Sequence, residues 1–299
     1  MADPADQDRR SVLVIGATGQ IGIGVLREAR RLGWRVAALR HRRPGAEEAG
    51  DAGVEWIDGD LALPGLDLGR LRAECVIFAT GLWLLPAHLE ALHGVGVRRL
   101  IAFSTSSVKG KRDSRSRFER DQTAAIAAAE AAVTTGCDRL GMAWTLLRPA
   151  LIYGRGLDQN ITVAARLIDR LGWYPISGPA QGLRQPVHAD DLAAAALAAI
   201  DCAAARGRIY HLGGGETLTY RDMIGRLFDC LGRRRRLVPV PGLGVLAAAW
   251  GLLSGNPVLT ADTVRRMNRD LAFDDGAAAR DFAYAPRPFL AAGRADLGI

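Results

Sequence analysis

The chain has 299 residues, 49% of them hydrophobic and 24% charged, which is enough apolar mass for a large core and excludes a disordered or fibrous chain. The formal net charge is +7, yet apart from Lys109 and Lys111 the basic residues are arginines scattered along the whole chain without interleaved aromatics, so no nucleic-acid role is expected. Cys75, Cys137, Cys202 and Cys230 lie far apart in sequence; this excludes a metal knuckle or CxxC pair and fits buried, reduced thiols in a cytoplasmic compartment.

Residues 1–10 are polar and carry Asp3, Asp6 and Asp8, with no apolar run before Val12, so a frayed tail and no secretory signal are expected. Val12 to Ile15 is an all-apolar run of the buried-strand type. Gly16-Ala17-Thr18-Gly19-Gln20-Ile21-Gly22 follows it and precedes Val25 to Leu32, whose residues suit an amphipathic helix. Strand, glycine turn and helix come in the order that a dinucleotide pyrophosphate requires. Gly16 permits the tight turn, Gly19 removes a Cβ from the path of the phosphates, and Gly22 lets helix and strand pack closely while the helix N-terminus faces the anion. Thr18, Gln20 and Ile21 complete this cofactor loop.

The second strand, Val36 to Leu39, ends in Arg40-His41-Arg42-Arg43, where an NAD-specific protein would place a carboxylate on the ribose hydroxyls. A carboxylate there repels a 2′-phosphate, whereas Arg40, Arg42 and Arg43 would pair with one; the expected cofactor is NADP, with NAD as the alternative. Further strands are predicted at Val54 to Ile57, Cys75 to Ala79, Arg99 to Phe103 and Trp144 to Leu147, and helices at Pro86 to His93 and over the alanine-rich stretch Asp121 to Val133. Such alternation predicts an α/β fold, a Rossmann-type doubly wound parallel sheet with helices on both faces. Between Phe103 and that last helix, Lys109 to Arg120 is strongly basic. It reads as a solvated loop, or as a lid gripping an anionic substrate, with Lys109 as a candidate substrate contact.

After Arg148-Pro149 the pattern breaks at Gly154, Gly156, Gly172, Pro175, Gly178 and Pro179. The predicted division is a nucleotide-binding domain over 11–150, to which 183–204 returns, and a smaller C-terminal substrate lobe formed by 151–182 and 205–299. In the returning piece, Arg184 is a candidate for substrate phosphate, His188 is expected to pack, and Asp190 or Asp191 to cap the helix Leu192 to Ile200. The helix Tyr220 to Leu231 follows Thr219, with Asp222 three residues on as in a capping box. Leu237 to Ala261 carries no charge and follows Arg233 to Arg236. Its best helical piece, Leu243 to Leu253, would rise only about 17 Å against roughly 30 Å of hydrocarbon, so no membrane span is expected. A core helix of the substrate lobe is the expected reading and a peripheral membrane contact the alternative.

The glycine turn, Gly59-Asp60-Leu61, Phe103-Ser104-Thr105-Ser106-Ser107, Arg148-Pro149 with Ile152-Tyr153-Gly154, Pro186 to Asp191 and Leu212 to Glu216 recur in one order and spacing. In these the chain resembles, over nearly its whole length, the extended and atypical short-chain dehydrogenase/reductases, the group of the nucleotide-sugar epimerases and dehydratases. The resemblance implies that Asp60, beside Leu61, contacts adenine, that Ala79-Thr80-Gly81 and Ser104 border the cofactor, and that Thr105 meets a substrate carbonyl. It also sets Lys109 where related enzymes often carry a tyrosine. Tyr153 is a candidate catalytic residue, and Trp83, in the apolar loop Leu82 to Leu85, a candidate substrate contact.

Such enzymes work through a Tyr-x-x-x-Lys pair, in which the tyrosine is acid and base and the lysine lowers its pKa. Here Thr105 stands four before Lys109 and Ser107 four before Lys111. If Glu130 matches the glutamate that follows the family's lysine, Gln122 occupies the tyrosine position and Ile126 the lysine position. Another group then serves as acid/base, or water suffices, or the site binds without catalysis. No metal-ligand cluster or GxSxG elbow is present. The expected function is an NADP(H)-binding oxidoreductase moving hydride to or from a small carbonyl, enone or nucleotide-sugar-like substrate; a non-catalytic NAD(P)-binding subunit or redox sensor is the alternative. The expected partners are the dinucleotide and a small-molecule substrate, with monomer and homodimer both open.

Overall fold

Seven strands join edge to edge into one parallel sheet: β1 (Ser11–Ile15), β2 (Arg35–Arg40), β3 (Val54–Asp58), β4 (Cys75–Phe78), β5 (Arg99–Phe103), β6 (Ala143–Pro149) and a last strand, Arg208–Leu212. The computed structural model describes residues 10–41, 53–63, 65–69, 71–110, 114, 116–254 and 261–299; Arg42, Arg43 and the N-terminal tail lie outside them. Across the sheet the order runs from Arg208–Leu212 through β6, β5, β4, β1 and β2 to β3. The chain therefore winds one way from β1 to β3, then returns beside β1 with β4 and winds the other way.

Alternate residues of β1 enter different cores, which is what a doubly wound sheet demands of a central strand. Val12 and Val14 pack with Val25, Leu26 and the helix Ala189–Asp201, while Leu13 and Ile15 pack with Leu85, Leu92, Val133 and Cys137 from the opposite face. The edge strand β3 is half exposed, as its interrupted pattern VEWID requires. Helix α1 (Gln20–Arg31) begins earlier than the apolar period suggests, because glycines at 22 and 24 dilute the pattern at its start. Pro86 draws Leu82–His88 into a 3₁₀ turn before the helix Leu89–Gly94. Among the described residues the cysteines are unpaired thiols; burial pushes Cys75 up to about 11 and Cys137 up to about 12.

Three expectations are corrected. Arg208–Leu212, allotted to the substrate lobe with 205–299, pairs in parallel with β6 and closes the nucleotide sheet, and Ala278 and Tyr284 pack into the same core. The helix Ala189–Asp201 is capped by neither aspartate: the His188 side chain accepts from the Asp190 N–H, while Asp190 accepts from Arg27 of α1 and from Arg155. The helix Leu243–Ser254 buries Ala247 but leaves Val245, Leu246 and Leu253 on the surface, so it is not a core helix; its composition is apolar on every side, and composition alone cannot say which side is covered. The smaller lobe is otherwise built from the helices Ile161–Leu171 and Tyr220–Cys230 around Tyr153, Ile168, Phe228 and Phe289. Thr219 caps the second of these, its Oγ1 accepting from the Asp222 N–H at 3.0 Å.

Candidate functional site

The two winding directions part between β1 and β4, and in open parallel sheets the crevice beyond the carboxyl ends of such strands is where ligands bind. The chain fills this crevice with Gly16 to Gln20 from β1 and Ala79 to Gly81 from β4. Gly16 has φ +85, and a Cβ there would stand 2.6 Å from the Ala79 carbonyl oxygen, so only glycine lets the turn pass the end of β4. A Cβ at Gly22 would fall 2.1 Å from the Gly16 oxygen and 2.6 Å from Ala17 Cα, which locks α1 against β1.

Gly19 differs. It caps α1 in extended geometry, and among the described residues a Cβ there would meet only the Gly16 oxygen at 3.3 Å and the Ala79 oxygen at 4.0 Å. No side chain caps α1, and its first turn holds no carboxylate, so the positive end of the helix is left to an external anion. Two buried polar atoms, Gln20 Oε1 at the start of α1 and Ser104 Oγ just beyond β5, have no hydrogen-bond partner among the described residues. A vacant Cβ position, an uncapped helix N-terminus and two unsatisfied polar atoms fit a dinucleotide diphosphate.

Around this turn, Thr18 and Thr80 are exposed, Gly19, Gln20, Ala79 and Gly81 are half-buried and Ile21 is buried. Arg40 ends β2, its Nε donating to Asp58 Oδ1 at 2.7 Å and its guanidinium lying 5.7 Å from the centre of the Trp56 ring. Asp60 accepts from the Ala62 N–H at 2.8 Å and has His41 at 3.6 Å. The Leu61 carbonyl accepts from His88 Nε2 at 2.9 Å, if that nitrogen carries the proton, which ties the loop after β3 to the 3₁₀ turn. In that same 3₁₀ turn, the Trp83 ring covers Gly81 so closely that a Cβ there would lie 2.6 Å from it, while Leu82 and Leu85 are buried in the core. Only the tryptophan and the half-buried Leu84 of that apolar loop are left to meet a ligand.

Thr105 lies beyond β5, half-buried, its Oγ1 accepting from the Ser107 N–H at 3.1 Å. Lys109 lies on the short helix Ser107–Gly110; Lys111 and Arg112 fall outside the described residues. Gln122 is exposed and Ile126 buried on the helix Arg117–Arg139, and Glu130 of that helix forms a bidentate ion pair with Arg148 of β6.

Two candidates stand elsewhere. Tyr153 is fully buried, edge-on to His188 and Phe289, with its hydroxyl accepting from the Leu290 N–H at 3.1 Å; burial pushes its phenol up to about 12. Such a group stays protonated at neutral pH, is a weaker acid than a free phenol, and packs the core with Ile168, Phe228 and Phe289. Arg184 is also buried, its guanidinium donating to the carbonyls of Leu183, Arg266 and Arg269 and stacking on Tyr220, and burial pulls its pKa down to about 10. Three of its five N–H donors are taken by the backbone in a buried corner, so a substrate phosphate would have to compete with them. Sequence reasoning missed the cluster in which the single hydroxyl proton of Ser114 is shared between the Glu119 carboxylate at 2.6 Å and that of Asp262 at 2.8 Å, while Glu119 also accepts from Arg266 and Asp262 from the Ser116 N–H. Its members are scattered in sequence and share no motif.

Two cavities, of about 250 and 460 Å³, open at the amino-terminal edge of the sheet, lined by residues such as Trp34 and Arg35 or Arg99 and Asp201. They lie at the end of the strands opposite the crevice. Among the described residues no cluster of three or more His, Cys, Asp or Glu side chains could hold a metal ion, and no helix is long and apolar enough to cross a membrane.

A family model described as NAD(P)H-binding matches residues 16–202. A ceramide reductase of Caulobacter vibrioides is 27% identical over 273 residues, 84% of this chain and 81% of that protein. A 2-alkyl-3-oxoalkanoate reductase of Stenotrophomonas maltophilia is 26% identical over 318 residues, 92% and 94% of the two chains. In fold, the chain is similar to a UDP-glucuronic acid 4-epimerase of Bacillus cereus, solved with NAD, at a TM-score of 0.72 and 16% identity, covering 96% of this chain and 97% of the other.

Proposed function

Since the chain belongs to the NAD(P)H-binding family, we propose that it is an NADP(H)-dependent reductase acting on an oxo group carried by an alkyl-chain substrate. The observation that carries the cofactor half is the glycine turn: an α1 N-terminus without a side-chain cap, with room beside Gly19 among the described residues and no carboxylate in the first turn of the helix. Gly16, Thr18, Gly19, Gln20, Ile21 and Gly22 would hold the diphosphate, Asp60 and Leu61 the adenine side, and Ala79, Thr80, Gly81 and Ser104 the nicotinamide side. When bound, the cofactor supplies or accepts hydride at a carbonyl carbon.

For the substrate, the support is the reductases named above, whose names carry an alkyl-oxoalkanoate and a ceramide, together with the apolar rim at Trp83 and Leu84. Thr105 Oγ1 is turned by the Ser107 N–H it accepts, which leaves its own proton free to donate to a substrate carbonyl. Gln122 and Ile126 cannot titrate, so the proton that neutralises the product alkoxide comes from water. Stopped-flow oxidation of NADPH against a panel of long-chain 3-oxo compounds and UDP-sugars is expected to show turnover with the former. Turnover with UDP-sugars alone would overturn the substrate class. Tight NADPH binding with inertness to the whole panel would favour a second reading, a nucleotide-binding subunit without turnover, which the missing Tyr-x-x-x-Lys pair also favours.

Arg40 is the described residue through which NADP would be preferred. It stands at the tip of β2 on the Trp56 ring, and Asp58 takes its Nε. Arg40→Asp is expected to weaken NADPH by about tenfold or more, the loss of one charge-assisted pair, and NADH by less than about threefold. Titrations of both coenzymes check this; equal losses would remove the 2′-phosphate role.

A further inference from the structure

The helix Leu243–Ser254 has no charged residue, and its outward face is as apolar as the one that holds it to the lobe. On the inward side Ala247 is buried with Ile176, Val264 and Met267, and a Cβ at Gly244 would lie 3.6 Å from Ala261. At about 100° per residue, Val245, Ala249, Leu253 and Leu246 fall within an arc of roughly 100° on the other side. Val245 is 74% exposed, Leu246 58% and Leu253 84%.

Four arginines come shortly before this helix in the chain. Arg233 to Arg236 precede the strand Leu237–Pro239 that leads into the helix. Arg233 pairs with Asp169 and Arg235 with Asp229, whereas the exposed side chains of Arg234 and Arg236 have no partner among the described residues. An uncharged, exposed apolar ridge preceded closely in the chain by guanidinium groups without a carboxylate has the make-up of an interfacial helix.

We propose that this helix docks the protein on an anionic lipid surface, its axis in the plane of the interface, the apolar arc entering the acyl boundary and Arg234 and Arg236 meeting headgroup phosphates. A second copy of the chain fits less well. The ridge of a 12-residue helix, about 18 Å long, offers far less than the roughly 800 Å² per partner of a stable protein interface, and an identical face would bring more arginines in place of anions. The helix is tied to the rest of the protein through the next helix, Ala261–Arg265, which touches it through Ala261 and whose Asp262 lies 2.8 Å from Ser114 Oγ and accepts from the Ser116 N–H at 2.9 Å. The docking itself does not depend on the cofactor reading.

Flotation with phosphatidylcholine vesicles, with and without phosphatidylglycerol, tests it. The wild-type chain is expected to float with the anionic vesicles, less so at high salt, and not with the neutral ones. V245E/L253E should lose flotation while its melting temperature and NADPH affinity stay at the wild-type values, since both positions are on the surface. R234Q/R236Q should reduce the partition coefficient about 30-fold, roughly fivefold for each cation. No flotation of the wild type, or flotation of either variant equal to the wild type, would overturn the proposal. So would sedimentation velocity showing a wild-type dimer that V245E/L253E dissociates, which would give the face to a second copy.

Discussion

Gly19→Asp is expected to abolish dinucleotide binding and to leave the fold as stable as before, or a little more so. Gly19 has φ −81 and ψ 164, extended geometry that any residue adopts, and a Cβ there needs only a few tenths of an ångström of give from the Gly16 oxygen at 3.3 Å. Aspartate is a better N-cap than glycine by a few tenths of a kcal/mol, and its charge favours the positive end of α1. That same charge would occupy the space proposed for the diphosphate, where like-charge juxtaposition costs several kcal/mol, or ~100-fold or more in affinity. Gly22→Ala makes the contrast. Its Cβ would stand 2.1 Å from the Gly16 oxygen and 2.6 Å from Ala17 Cα, both backbone, so α1 must move off β1, at a cost of about 3 kcal/mol or more. Calorimetric NADPH binding and thermal unfolding on both variants separate the roles. Unchanged NADPH affinity in Gly19→Asp would sink the diphosphate assignment, whatever happens to stability.

The sequence is most legible where one physical demand acts alone. Strands β1, β2, β4 and β5 must be apolar on both faces, so VLVI, VAAL, CVIF and RLIAF announce themselves, to within a residue or two of their ends. The glycine turn is legible for the same reason: positive φ at Gly16 and the close approach at Gly22 admit no other side chain. Legibility fails where two demands conflict. Arg208–Leu212 has two exposed residues at its start because it is the sheet's outer strand, and so it resembles a lobe strand. Arg184 is written as a cation for solvent or phosphate, but its fork matches three backbone carbonyls in a buried corner, and no local pattern marks such a use. Tyr153 reads as a candidate acid because phenols can be acids; its burial and its bond from Leu290 come from a segment far along the chain. The apolar run at 243–254 reads as buried because composition records transfer preference and not coverage, and the exposed arc only becomes visible once the lobe is built.

Glu130 tests how the structure holds the helix that would carry the missing catalytic pair. Its carboxylate and the Arg148 guanidinium are 7% and 12% exposed and face each other in bidentate register, joining Arg117–Arg139 to β6. Glu130→Ala would strand a buried guanidinium, with an expected loss of about 3–5 kcal/mol, seen as a drop in Tm on the order of 10 °C. The double replacement Glu130→Leu with Arg148→Met removes both charges and keeps most of the volume, and it should recover most of that loss, since desolvating the two ions offsets much of their attraction. If the pair only holds the helix, the recovered protein also keeps its NADPH affinity. If the pair sets the height of the helix over the crevice, stability returns but NADPH affinity or turnover does not. A single replacement costing less than about 1 kcal/mol would show instead that water reaches the pair, and that the helix owes its place to Val133 and Cys137 in the core on that side of the sheet.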